Sequence, residues 1–273
     1  MATFLLGDCL DLMKGMPDKS VDCFICDLPY GCLSINGEPK VSHEKALQYG
    51  AGRIQSRGCA WDIKIDLVEF WKQVKRLCKD KHTPVLMFCN TKFGNDLINS
   101  NPSWFRYDLV WDKGRGVSFL LANKQPMKSH EMIYVFSKAG AYYKRIDISG
   151  NFGPSVGGGK GSICYGFKHS GKELPPTASE GRRCPLSVIG VGTFAKGGNH
   201  PTQKPEELYR WLLTRYCPAG GTVLDPTAGS FNACFVAREL GLKAIGMEKD
   251  RGFFYKAVAR LLKLQSGDMI QHV

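Results

Sequence analysis

Apolar and polar positions alternate between two patterns along the chain. Short runs with almost no polar interruption occur at 3–6, 21–26, 84–89, 105–113, 131–137, 222–224 and 243–247. Runs of this length and character predict strands covered on both faces, the environment of a largely parallel sheet. Between several of them the apolar residues recur at helical spacing: Leu67, Phe70, Trp71, Val74, Leu77 and Cys78, then Leu208, Trp211, Leu212 and Tyr216, then Phe254, Ala257, Val258, Leu261 and Leu262. Further helices are predicted over 92–99 and from 230 to Leu240. Asp66 followed by Glu69 predicts a capping box, and Pro205-Glu206-Glu207 a first helical turn. Strand and helix in alternation predict an α/β fold: a Rossmann-like, mostly parallel, seven-stranded sheet flanked by helices.

Two regions depart from these periods. From Cys32 to Trp61 no repeat holds and Lys40, His43, Lys45, Arg53 and Arg57 dominate, which reads as a basic lid or substrate-contacting loop. Most of 145–198 is glycine-rich and loop-like, as in Gly157-Gly158-Gly159-Lys160-Gly161-Ser162, with Tyr142, Tyr143, Phe152, Tyr165 and Phe167 interleaved. The organisation expected is one domain in two halves, 1–140 and 199–273, separated by a loop-rich insertion over 141–198. A Walker phosphate loop ending at Lys160 is excluded by Pro154 and Gly161.

Charge sharpens the expectation for the insertion. Of a formal net charge of +12, the segment from Lys113 to Asn199 supplies +9, with 13 Lys and Arg against 4 acids. Basic groups with aromatics on pliable backbone suit a nucleic-acid groove; the bland reading is a solvated insertion. The candidates for contact with nucleic acid, which the resemblance given below implies is double-stranded DNA, are Lys40, Arg53, Arg57, Lys113, Arg115, Lys124, Lys128, Arg182 and Arg183. No stretch approaches the roughly 18 apolar residues of a membrane span. The opening Met1-Ala2-Thr3-Phe4-Leu5-Leu6-Gly7-Asp8 lacks a basic region, which predicts no signal peptide and a cytoplasmic location. The 11 cysteines include a CxxC at Cys23 and Cys26, but residues three apart on a strand face opposite ways and cannot easily share a zinc. Cys78, Cys89, Cys217 and Cys234 lie singly in apolar runs, so reduced buried thiols and no metal are expected.

Two strand ends carry candidate chemistry. The 21–26 strand ends in Asp27-Leu28-Pro29-Tyr30-Gly31. Ligands of open α/β sheets bind beyond strand carboxyl ends. There Pro29 fixes the turn so that a carboxylate, a main-chain carbonyl and the Tyr30 ring form a clamp for a flat, amine-bearing ring. The alternative is a connecting turn with Asp27 as a helix cap. The 222–224 strand ends in Asp225-Pro226-Thr227-Ala228-Gly229-Ser230, and Glu248 follows 23 residues after Asp225. Strand, small-residue turn, helix, strand and acid is the layout for a nucleoside-bearing cofactor. The turn lacks GxGxxG, and Asp225 would repel a pyrophosphate but attract an ammonium or sulfonium. S-adenosylmethionine combines adenosine, positive sulfur and an amino acid.

Taken in order, GDCLDLMK near the start, DLPYG, NHPTQKP and DPTAGS resemble the motifs of the β-class amino-group DNA methyltransferases. DLPYG resembles their catalytic (D/N/S)PPY turn and DPTAGS their cofactor loop. Two positions depart: Leu28 replaces the first proline, whose main-chain carbonyl the family uses, and Phe231 stands where a second glycine is usual. The resemblance implies that Asp27 and the Leu28 carbonyl accept hydrogen bonds from the target amine, whose lone pair then attacks the sulfonium methyl, and that Tyr30 stacks on a base flipped out of the duplex. Asp27, Leu28, Pro29 and Tyr30 are thus the implied catalytic turn. The implied cofactor-binding residues are Asp8, Cys9, Asp27, His200, Thr202, Lys204, Asp225, Thr227, Gly229, Ser230 and Glu248. Asp225 would face the cofactor's ammonium end, Glu248 its ribose and Asp8 its adenine, with S-adenosylhomocysteine as product. The acid at 27 resembles members acting on the 6-amino group of adenine. Transfer to the 4-amino group of cytosine, or to RNA, is the alternative within this chemistry. A non-catalytic DNA-binding protein and a dinucleotide oxidoreductase are the alternatives outside it. A homodimer, and a separate cognate restriction nuclease, are compatible partners.

Overall fold

The computed structural model of the chain describes residues 1–31, 34–35, 38–39, 64–117, 119, 122–149, 182–192 and 203–270. The main sheet is built from β1 (Ala2–Leu6), β2 (Cys23–Cys26), β3 (Val85–Cys89), β4 (Phe105–Val117), β5 (Lys128–Phe136), β6 (Val188–Gly190), β7 (Thr222–Asp225) and β8 (Lys243–Glu248). Their spatial order is β1-β8-β7-β2-β3-β5-β4-β6. Strands β1, β8, β7, β2 and β3 run parallel; β5 is antiparallel to both β3 and β4, and β6 is parallel to β4. The helices are α1 (Cys9–Lys14), α2 (Leu67–Leu77), α3 (Thr91–Ser100), α4 (Glu206–Tyr216), α5 (Asn232–Glu239) and α6 (Arg251–Ile270).

The unbroken apolar runs have the cause inferred from them. Every position of β2 and β3 is buried, because hydrophobic clusters lie on both faces of the sheet. One cluster takes Cys23 and Ile25 of β2 with Leu208 and Leu212 of α4 and most of α5; the other takes Phe24 and Cys26 with Met13 of α1, Phe70 and Trp71 of α2, and Phe93 of α3. Cys23 and Cys26 therefore face opposite ways, as the strand period requires. Burial pushes the Cys26 and Cys234 thiols well above the ordinary value.

The sheet has eight strands among the described residues, one more than the seven expected. The addition, β6, lies in a stretch expected to be loop-like, and only its central Ile189 is buried. Three residues with one inward side chain carry no readable alternation. It is held by the register Val188↔Val110, Ile189↔Trp111 and by the Trp111 indole donating to the Val191 carbonyl at 2.7 Å. The expected capping box is half formed. Asp66 accepts from the Val68 and Glu69 amides, but Glu69 turns along the helix to Gln73 and Lys72. Leu262, expected on the inner stripe of α6, is 57% exposed. Among the described residues no helix is long and apolar enough to cross a membrane.

The chain divides into two compact units, one of residues 1–144 with 187–273 and one of residues 145–186. In the second, a two-residue ladder pairs Ile148–Ser149 with Arg182–Arg183, and Arg145 bonds Asp147 at 2.5 Å.

Phe231 explains its own departure from the family pattern. It adopts φ 59°, the left-handed region that favours glycine, yet is fully buried. Its ring packs 4.2 Å from Phe4 of β1 and 6.1 Å from Phe254 of α6, over Gly246, where a Cβ would meet the ring at 2.7 Å. The residue is thus a core anchor at the start of α5. Restoring glycine relieves about 1–2 kcal/mol of backbone strain but loses about 3–5 kcal/mol of aromatic burial. Phe231→Gly is therefore expected to lower unfolding stability by about 2–3 kcal/mol in urea titration; an unchanged or raised midpoint would show that the packing of the ring does not exceed the backbone strain it imposes.

Candidate functional site

Strand order creates the site. Connections from β2 to β3 and from β7 to β8 lead in opposite directions across the sheet, so the carboxyl ends of β2 and β7 flank the switch point where such folds bind ligands. The register Val223↔Cys23 and Leu224↔Phe24 places these strands side by side, and Asp27 and Asp225 stand at their ends. Two strands over, Leu6↔Glu248 brings Gly7 and Asp8 level with Glu248.

At the β2 end, the Leu28 side chain is buried at 1% exposure, so the residue in place of the family proline anchors the turn in the core. Tyr30 stacks on Phe93 with ring centroids 5.2 Å apart and donates from Oη to Asp27 Oδ1 at 2.9 Å. Burial, with the negative charges of Asp27 and Glu131 nearby, holds the Tyr30 hydroxyl well above its ordinary pKa, so it remains a donor. The other oxygen, Asp27 Oδ2, accepts from Lys204 Nζ. Lys204 is only 4% exposed, its ammonium 4.6 Å from the Phe88 ring centroid and 3.8 Å from Glu131 Oε2. Glu131 Oε1 in turn accepts from Lys113 at 2.5 Å. Burial alone would push the Glu131 carboxyl up, but the ammoniums of Lys204, Lys113 and Lys128 outweigh it and hold the group below its usual value. The Lys204 carbonyl accepts from Asn232 Nδ2 at 3.0 Å, and Asn232 Oδ1 accepts from Arg260 at 2.8 Å.

At the β7 end, Asp225 is 4% exposed and accepts the Thr227 amide at 3.2 Å. Burial, then the charges of Asp27 and Glu248, push its carboxyl up to about 8, against the opposing pull of the Thr227 amide and Lys204. Gly229, at φ 50°, donates its amide to Glu248 Oε2 at 2.9 Å, and Glu248 Oε1 accepts the Asp250 amide at 2.7 Å. The glycine turn is thus pinned to the end of β8, and burial raises the Glu248 carboxyl above its ordinary value. Among the described residues Thr227 Oγ1 is buried without a hydrogen-bond partner. Asp8 caps α1 through Leu10 at 2.9 Å.

One cleft joins these parts, and Asp8, Cys9, Asp27, Pro29, Lys204, Thr227, Gly229, Ser230 and Glu248 all line it. Asp225 is buried beside Pro226 and Thr227, which form the wall at that point. Sequence reasoning missed Glu131, Gln203 and Phe253, the last two in the cleft wall. Glu131 had a signal, an acid opening the otherwise apolar run Met132-Ile133-Tyr134-Val135-Phe136; Gln203 lies inside the NHPTQKP motif, between two residues that were singled out there, and Phe253 had none. Lys113, expected on a DNA surface, is turned inward, its side chain 11% exposed against Glu131. Arg115, Lys124 and Arg183 are exposed and Lys128 is half-buried. His200, Thr202, Lys40, Arg53 and Arg57, and the side chain of Arg182, lie outside the described residues. Among the described residues no group of three or more His, Cys, Asp and Glu is placed to hold a metal ion.

A family model described as DNA methylase, of the N6/N4 type, matches residues 21–259. The chain is 25% identical over 277 residues to the type II methyltransferase M.HinfI of Haemophilus influenzae, covering 96% of this chain and 69% of that one. A shorter match, 43% identical over 63 residues, joins 23% of this chain to 21% of the DNA adenine methyltransferase YhdJ of Escherichia coli. Among solved structures, the M1.HpyAVI–SAM complex superposes with a TM-score of 0.56 at 16% identity, covering 96% of this chain and 99% of that one. The cytosine-N4-specific PvuII DNA methyltransferase gives 0.59 at 12% identity, covering 94% and 85%.

The raised Asp225 carboxyl makes a pH prediction. Its proton is held more tightly folded than unfolded, where the ordinary value is 3.8. The Asp225 contribution to folding stability therefore falls as pH rises from about 4 through about 8, and changes no further above that. Asp225→Asn removes this penalty, so its melting temperature is expected to exceed that of the parent by a margin growing from pH 5 to pH 9, by at least about 3 °C. Parallel melting curves across that range would show that Asp225 carries no such penalty.

Proposed function

The chain belongs to the N6/N4 family of DNA methylases, and from that premise we propose that it methylates the 6-amino group of an adenine flipped out of double-stranded DNA, with S-adenosylmethionine as donor. The observation that carries this reading is the single cleft lined both by Asp27 of the catalytic turn and by the Gly229–Glu248 cofactor turn. The residues fit the donor's chemistry. Asp225 is a buried acid that gains its charge most readily when a cation enters, which suits the ammonium and sulfonium end. The partnerless Thr227 hydroxyl has a hydrogen bond to give. Glu248 accepts one amide on each oxygen and retains lone pairs for ribose hydroxyls.

The bound donor supplies an electrophilic methyl on positive sulfur. Asp27 and the Leu28 carbonyl accept the two N–H bonds of the target amine, drawing its lone pair out of ring conjugation and toward that methyl. As the nitrogen gains positive charge, the Asp27 carboxylate stabilises it at low dielectric, where preorganised charge acts most strongly. Tyr30 keeps one oxygen of Asp27 fixed and offers a ring to the base. Extruding the base costs a few kcal/mol. The exposed Arg115, Lys124 and Arg183 are candidates for the phosphate contacts that offset it. The acid at position 27 favours adenine over cytosine.

Asp27→Ala is expected to keep donor binding, read as a rise in melting temperature on adding S-adenosylmethionine, while losing transfer by at least about 100-fold. Nucleosides digested from DNA treated with the parent protein should contain N6-methyldeoxyadenosine by mass spectrometry. N4-methyldeoxycytidine in its place would assign cytosine as the target, and unmethylated DNA would remove the catalytic reading altogether. Duplex affinity should fall steeply between 50 and 200 mM salt, as counterion release requires; a flat response would exclude a phosphate-contacting basic surface.

A further inference from the structure

Four charges alternate in a row behind the catalytic turn: Lys113, Glu131, Lys204 and Asp27. The row sums to zero. An ammonium as buried as that of Lys204 costs several kcal/mol unless compensated, and Asp27 alone would suffice to neutralise it. The presence of Glu131, 3.8 Å from the same ammonium, is therefore more than burial requires. It has a consequence for the acceptor. A carboxylate that alone neutralises a buried ammonium has its negative charge committed, and is a weaker partner for the positive charge that grows on the attacking nitrogen. A second carboxylate facing the same ammonium divides that demand.

We propose that Glu131 is a positioning residue of methyl transfer: by sharing the Lys204 ammonium, it leaves the Asp27 carboxylate available to the target amine. This rests on Asp27 being the acceptor of that amine. Lys204 is the intermediary, and its place is set from both ends. Its carbonyl is held by Asn232, itself held by Arg260, and its ammonium lies over the Phe88 ring. Glu131 is fixed from behind by Lys113, which is packed 5.0 Å from the Trp111 ring centroid. The low pKa of Glu131 is consistent with a carboxylate that stays charged throughout. Glu131 does not line the cleft, so its effect on the reaction passes through Lys204.

The test is a double-mutant cycle on Glu131→Gln and Lys204→Met with radiolabelled S-adenosylmethionine and DNA. Glu131→Gln keeps the shape and removes the charge. It should lower kcat about 10- to 100-fold, one to two factors of ten for removing a charge that faces the buried ammonium, with donor Kd and DNA KM unchanged within about twofold. The double variant should be no slower than Lys204→Met alone, because Glu131 acts through that side chain. Should Glu131→Gln fail to fold, Glu131→Asp, which keeps the charge, must retain kcat within about tenfold of the parent. The proposal is overturned if Glu131→Gln transfers methyl at the parent rate, if its kcat and donor affinity fall together as for simple loss of structure, if the two single effects multiply in the double variant, or if Glu131→Asp loses more than tenfold. An active parent with an insensitive Glu131→Gln defeats this proposal alone, whereas a parent that leaves DNA unmethylated defeats the proposed function and this inference with it.

Discussion

The lateral pairing of β2 with β7 is the constraint from which the rest of the site follows. Parallel strands in register finish at the same level, so the residues after them are neighbours whatever their separation in the chain. Asp27 and Asp225 are about 200 positions apart in sequence, yet two Cα pairings decide that they share one edge. The pairing needs both strands to be apolar on both faces, and the β2 cysteines, Cys23 and Cys26, are buried on opposite ones. The helices of α1 to α3 on one side and α4 to α6 on the other complete that burial, and their connections open the crevice.

Concentrating acids at one sheet edge has an electrostatic cost, and the structure distributes it. Asp27 is offset by Lys204 and held by Tyr30. Glu248 is offset by two backbone amides. Asp225 has one amide and is otherwise left in a low-dielectric position, so its proton is retained to an unusually high pH. The three acids therefore stand in three different states of compensation. The most deprived of them is the one adjoining the glycine turn, a position where a positive charge would be stabilised most.

Much of this was legible in the chain. Both acid-tipped strands, the βαβ unit around Asp225 and Glu248, and the thiols as core residues could be read from periodicity and local composition. What could not be read depended on partners distant in sequence. The β6 strand is too short to show alternation and exists because β4 offers it an edge. Lys113 counted as surface charge until Glu131, 18 residues on, turned it inward. Lys204 was recognised as part of the pocket, but that its ammonium would seek Asp27 follows from packing across the switch point, which no spacing encodes. Phe231 looked like a defect in a glycine loop; only the hydrophobic space bounded by Phe4, Gly246 and Phe254 shows why a large ring belongs there.

The chain of contacts from Arg260 through Asn232 to the Lys204 carbonyl ties α6 to the turn that carries Asp27. Arg260 also bonds Glu206 at 2.6 Å and lies 3.9 Å from the Phe235 ring centroid, so a single guanidinium fastens α4, α5 and α6 together. Helix α6 is consequently a tension member for the cleft edge at Lys204 and Asp27. The lysine that meets Asp27 therefore has its full backing only when α6 is docked against α4 and α5.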